Sequence, residues 1–111
     1  MPSVHVDQVD AAQFADRWSK NLVGTDGVPT QAGFNLGVAE YHTKSFETTN
    51  VQKHDDQEAL YILSGEGEVK IGDVVHTVVP GTALYVPPHT AHCARSTGDV
   101  PLRLVYTHGA V

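Results

Sequence analysis

Three side chains suited to holding a metal ion, His54, Glu58 and His92, stand at spacings that a sheet protein can bring together. Gln52 precedes His54 by two residues, so on a strand both side chains point to one face. Glu58 comes four residues after His54 and opens an apolar run, while His92 lies far along the chain. A divalent ion needs several lone pairs converging on one point, and neutral imidazoles with a carboxylate supply them. Two histidines and one carboxylate form the set that suits a non-haem iron centre with open positions. Gln52 adds an amide oxygen, a weaker ligand than imidazole and equally uncharged. With one carboxylate, a divalent ion leaves about +1 in the pocket, which favours anionic substrates or bound oxygen species. Glu58 is then a ligand, or a catalytic general base that swings off the ion. In a barrel without metal, His54 and His92 would line a polar pocket, and with Glu58 they would have to pair among themselves.

These residues need a scaffold, and the chain from Phe34 onward supplies one. Short apolar or alternating runs cover 34–41, 58–63, 67–71, 74–79, 83–86, 91–95 and 102–107. Ser64-Gly65, Gly72-Asp73, Pro80-Gly81 and Pro87-Pro88 punctuate them. Strands at this regular spacing, with no helices between, predict an all-β sandwich or barrel. The first segment reads differently. Asp10 can cap a helix in which Phe14, Trp18 and Leu22 recur every four residues, with Ala11 and Ala15 on the same side. That pattern predicts a short helix over about 11–22, ended by Gly24-Thr25-Asp26-Gly27 and Pro29. The expected organisation is an N-terminal arm over 1–33, packed on a β-barrel over 34–111.

The remaining candidates have plainer readings. His89 lies in the Pro87-Pro88-His89-Thr90 turn, either as a rim residue meeting substrate or as an exposed turn histidine, and the second is preferred. His5, His42, His76 and His108 lack ligand spacing, so a surface position is expected for each. Cys93 neighbours His92, so on a strand it points to the opposite face as a packed thiol. Tyr61, Tyr85 and Tyr106 read as sheet packing, and Tyr41 with the 43–50 loop could line the barrel mouth. Leu102 and Leu104 take the core parity, which leaves Arg103 facing solvent. Gly65-Glu66-Gly67 lacks the helix of a phosphate loop. Asp55-Asp56-Gln57-Glu58 lacks the pattern of a calcium loop.

Size and charge bound the rest. The 111 residues fit one domain with a single core. A net charge of −6 argues against nucleic acid as partner, since binding there rests on Lys and Arg. No basic start precedes an apolar run, and no apolar stretch approaches the ~20 residues that span a bilayer. Neither a secretory leader nor a membrane partner is therefore expected. One cysteine, Cys93, fits a reducing cytoplasm.

Two motifs in this chain resemble those of the cupins, Gly-x5-His-x-His-x3,4-Glu-x6-Gly followed by Gly-x5-Pro-x-Gly-x2-His-x3-Asn. The first falls on Gln52, His54, Glu58 and Gly65, and the second on Gly81, Pro87, His89, His92 and Ser96. The resemblance spans roughly 34–107. Gln52 stands where the family has its first histidine, His89 where it has glycine, and Ser96 where it has asparagine. The leading glycine of the first motif, which would fall near Phe46, is missing. The resemblance implies a double-stranded β-helix (jelly-roll) barrel with a divalent transition metal, Fe, Mn, Ni or Zn, held by Gln52, His54, Glu58 and His92. It implies a homodimer, to which Phe14 and Trp18 of the arm could contribute. Implied activities are dioxygenase-type oxidoreductase chemistry, or lyase or isomerase chemistry, on a small oxygen-bearing anionic metabolite. The alternative is a barrel that binds or senses a small ligand without turnover.

Overall fold

Alternation of inward and outward side chains turns the apolar runs into half-buried strands. The computed structural model describes residues 2–24 and 26–111. Its strands are β1 (Ala12–Gln13), β2 (Arg17–Val23), β3 (Asn35–Tyr41), β4 (Gln57–Ser64), β5 (Gly67–Ile71), β6 (Val74–Val78), β7 (Ala83–Val86), β8 (His92–Ser96) and β9 (Leu102–Gly109). One sheet has the order β1-β2-β3-β9-β4-β7 and the other β6-β5-β8. The strand pairs are antiparallel, and the two sheets face each other as the jelly-roll expectation requires. Ile62, Leu102, Val78 and Val86 are wholly buried between them, joined by Leu104 and Val69. A positive φ of 59° at Gly72 closes the β5–β6 hairpin, the use that a two-residue Gly-Asp turn makes of its glycine. No helix among the described residues is long and apolar enough to cross a membrane.

The predicted helix over 11–22 is not formed. A 3-10 turn occupies Val6–Gln8, and the strands β1 and β2 follow it. β2 joins the larger sheet by pairing with β3, from Arg17↔Tyr41 to Val23↔Leu36. The physical reason lies in the spacing of Phe14, Trp18 and Leu22. Four is an even number, so the same residues satisfy the period of a strand as well as that of a helix. The alternate positions Arg17 and Ser19 are polar yet turned toward the interior, because there the inner face borders a cavity rather than the apolar core. On the outer face, the Arg103 guanidinium lies 5.5 Å from the Trp18 ring centre and 3.8 Å from Glu40, as the parity of Leu102 and Leu104 predicts.

Candidate functional site

Register alone places Glu58 and His108 side by side. Glu58 of β4 pairs with His108 of β9, which in turn pairs with Asn35 of β3. Along β9, Leu102, Leu104, Tyr106 and His108 share one face, and the two leucines are core. The surface position expected for His108 is thus overturned: its side chain is turned inward and only 18% exposed. His92 enters from the opposite sheet at the start of β8. Its backbone is tied to Gln52 by two hydrogen bonds, Gln52 N–H to the His92 carbonyl at 2.8 Å and His92 N–H to the Gln52 carbonyl at 2.9 Å. His54 precedes β4 in a loop, where its carbonyl accepts from the His89 N–H at 2.8 Å.

The three imidazoles meet at one carboxylate. Nε2 of His54 lies 3.1 Å and Nε2 of His92 3.0 Å from Glu58 Oε1, and Nε2 of His108 lies 3.2 Å from Glu58 Oε2. The ligand atoms of His54, Glu58 and His108 are all within 4.8 Å of one another. On the far side of each ring, Nδ1 faces an oxygen that can only accept. For His92 this is the Thr90 carbonyl at 3.0 Å. For His108 it is Asp56 Oδ2 at 3.0 Å, and for His54 the Asp56 carbonyl at 3.3 Å with Asp56 Oδ1 at 2.5 Å. Each Nδ1 therefore carries the proton, and a neutral ring turns the lone pair of Nε2 toward Glu58.

Lone pairs facing a carboxylate repel unless a cation lies between them. The strain shows at His92 Nε2, which is buried and, though 3.0 Å from Glu58, has no aligned hydrogen-bond partner. Asp56 Oδ1 is orphaned in the same way. Protons offer one remedy. Burial would raise the Glu58 carboxyl, but His108 and His92 outweigh it and hold the group at about 2. Burial presses His92 down, and pairing with Glu58 and the Thr90 carbonyl lifts it above the usual imidazole range. His108 is lifted by Glu58 against burial, with help from Asp56. Yet the His54 ring centre lies 4.5 Å from that of His108 and 4.9 Å from that of His92. Imidazolium charges that close cost about 4 kcal/mol per pair at an effective dielectric of about 20. One divalent cation answers the lone pairs of His54 and His108 beside Glu58, whose ligand atoms lie together, so this donor set fits a metal ion, with His92 at its edge 3.0 Å from Glu58.

A cavity of about 140 Å³ opens beside the cluster, lined on its polar side by Arg17, Ser19, Tyr41, Gln52 and Tyr106. That is the size of a void that admits a guest of roughly six heavy atoms. The Arg17 guanidinium, 13% exposed, lies 4.2 Å from the Phe14 ring centre and donates to Asp16 Oδ1 at 2.9 Å. Asp16 is fully buried and also accepts from the Asn50 N–H at 3.0 Å. Burial would raise its carboxyl, but Asn50, Thr49 and Arg17 hold it below the usual range. Tyr41 is paired with the Gln52 side chain, and burial pushes its phenol well up. Tyr106 reaches Ser19 by folding across β3 at Gly37, where a Cβ would meet its ring at 2.3 Å.

Gln52 thus lines the cavity with its amide engaged by Tyr41, while His54, Glu58 and His92 come together. His89 is exposed in its turn, 3.1 Å from Asp55, as the preferred reading has it. Cys93 is buried and its thiol is raised by burial, which suits packing rather than nucleophilic chemistry. Sequence reasoning missed Arg17, Asp56, Tyr106 and His108. For Tyr106 and His108 a signal was present, since the parity that places Arg103 outward also continues from Leu104 to both of them.

The family model described as the cupin domain matches residues 38–108. Protein SchB of Streptomyces halstedii is 40% identical over 85 residues, which cover 73% of this chain and 60% of SchB. This chain thus spans less than two thirds of that relative's length. L-ectoine synthase of Hahella chejuensis is 28% identical over 103 residues, covering 89% of this chain and 74% of the synthase. The crystal structure of Fe(II)-HppE with alternative substrate (S)-1-HPP superposes with a TM-score of 0.80 at 19% identity, over 96% of this chain and 58% of that one. At that identity the likeness is one of fold.

Proposed function

We propose that this chain, which belongs to the cupin family, is a metal-dependent enzyme acting on a small, oxygen-bearing anion. The observation that carries this reading is the set of acceptor-locked imidazoles turned on Glu58, at the end of a cavity that holds an arginine. His54, Glu58 and His92 would hold the ion, of which Fe, Mn, Ni and Zn are the candidates. When bound, such an ion supplies Lewis acidity or one-electron chemistry toward oxygen. The chain's own residues would do the rest. Arg17, fixed by Asp16, is placed to take the anionic group of a substrate. Tyr41, Ser19 and Tyr106 offer hydroxyls for orientation, and the apolar wall of Leu60, Val69 and Leu104 excludes water. Glu58 stands 3.0–3.2 Å from the Nε2 atoms of three imidazoles, so it serves as ligand in this reading.

The polar lining favours turnover over simple capture, because a binding barrel needs few polar groups. The name of L-ectoine synthase adds support for an enzyme, and that of Fe(II)-HppE for a barrel of this fold that carries a metal. The test is elemental analysis of tag-free protein purified without added metal, beside His92→Ala. About one equivalent of a transition metal, lost in the variant, is the expected result. No metal after reconstitution with Fe, Mn, Ni or Zn would sink the reading and leave a ligand-binding barrel.

A further inference from the structure

The cluster contains more donors than the metal reading needs, and their arrangement says which are used. We propose that His108, not Gln52, completes the metal centre, and that Asp56 is the positioning residue which orients His108 and His54 together. The inference rests on the metal reading above.

Gln52 and His108 differ in what already occupies them. The Gln52 amide is paired with the Tyr41 hydroxyl and lines the cavity, on the side where a substrate would lie. His108 presents Nε2 at 3.2 Å from Glu58 Oε2, in the group whose ligand atoms lie within 4.8 Å of one another. Imidazole is the better donor for a borderline divalent ion than a neutral amide oxygen. The chain thus has an imidazole-rich set despite glutamine at position 52, by drawing a histidine from β9 rather than from the position two residues before His54. Asp56 explains how that ring is aimed. Its Oδ2 takes the Nδ1 proton of His108 at 3.0 Å, and Oδ1 lies beside Nδ1 of His54. Asp56 thus sets the tautomer and tilt of two rings, His108 through its carboxylate and His54 through its backbone carbonyl at 3.3 Å, a role that outer-sphere partners fill at metal sites. Gln52 is left free to face the substrate with Tyr41.

Cobalt(II) serves as the probe, because its visible absorption reports the ligands while a competing chromophoric chelator gives the affinity. Wild type, Gln52→Leu, His108→Ala and Asp56→Asn are compared, each checked for an unchanged far-UV spectrum without metal. The expected result is that Gln52→Leu binds within about threefold of wild type with the same spectrum. His108→Ala should lose more than about 100-fold, with an altered spectrum that added imidazole restores. Asp56→Asn should lose about 10- to 100-fold, the range for an outer partner. If His108→Ala does not fold, His108→Asn gives the same reading. Retention of cobalt by His108→Ala with loss by Gln52→Leu would overturn the proposal and leave the metal reading intact. Retention by both would overturn it too, with His54, Glu58 and His92 sufficient. Failure of wild type to bind cobalt, iron, manganese, nickel or zinc would sink the metal reading itself, and this proposal with it.

Discussion

His89 holds a left-handed backbone, φ 59°, at the position where the second motif carries glycine. A side chain in that region costs roughly 1–2 kcal/mol, and glycine gives back part of this by adding freedom to the unfolded chain. His89→Gly is therefore expected to stabilise by up to about 1 kcal/mol, read as a rise in urea midpoint with unchanged slope. A fall would mean that the contact between His89 and Asp55 outweighs the strain. At this scale the sequence was legible where motif spacing fixes a residue's neighbours, as for His54, Glu58 and His92. It was silent on Asp56, because a carboxylate in the run Asp55-Asp56-Gln57-Glu58 has no periodicity to show which of its neighbours turns inward. His108 was legible in principle through the parity of β9, but without a motif partner its inward turn carried no chemical signal.

β2 shows where element-level reading fails. Its inner face is polar because it borders the cavity, so hydrophobic alternation marked the wrong face and the even spacing of Phe14, Trp18 and Leu22 passed for a helix. From β3 onward, inner faces are largely apolar, and the strands over 67–71 and 83–86 match the sequence reading to the residue. The β2 junction also has a measurable pH signature. Asp16 ties β2 to the loop that carries Asn50, and its folded carboxyl binds a proton more weakly than the unfolded chain's. The stability it contributes is present above the ordinary value of about 3.9 and is lost as pH falls through the lower folded value. Asp16→Asn should cost about 2–3 kcal/mol at pH 7, by loosening the Arg17 pair and its neighbours. Urea unfolding at pH 7, 4 and 3 should show the gap between wild type and variant closing as pH falls. A constant gap would assign the loss to shape rather than charge.

Across the whole molecule, the proposed centre joins the two sheets. His92 belongs to β8 of the smaller sheet, while Glu58 and His108 belong to β4 and β9 of the larger. An ion bound there fastens the barrel at the end where buried polar groups replace apolar packing. At a free concentration 100 times its Kd, such a ligand contributes about 2.7 kcal/mol. Chelation should then lower Tm by roughly 10 °C, and His92→Ala should show no such shift. An equal fall in both would trace the effect to the chelator. This seam between the sheets links the chemistry to the protein's fate in a cell. A change of 1–2 kcal/mol is enough to alter steady-state abundance several-fold through proteolysis of unfolded chains. Scarcity of the ion would thus thin out the protein itself as well as idle its site, so that its cellular level follows the supply of its metal.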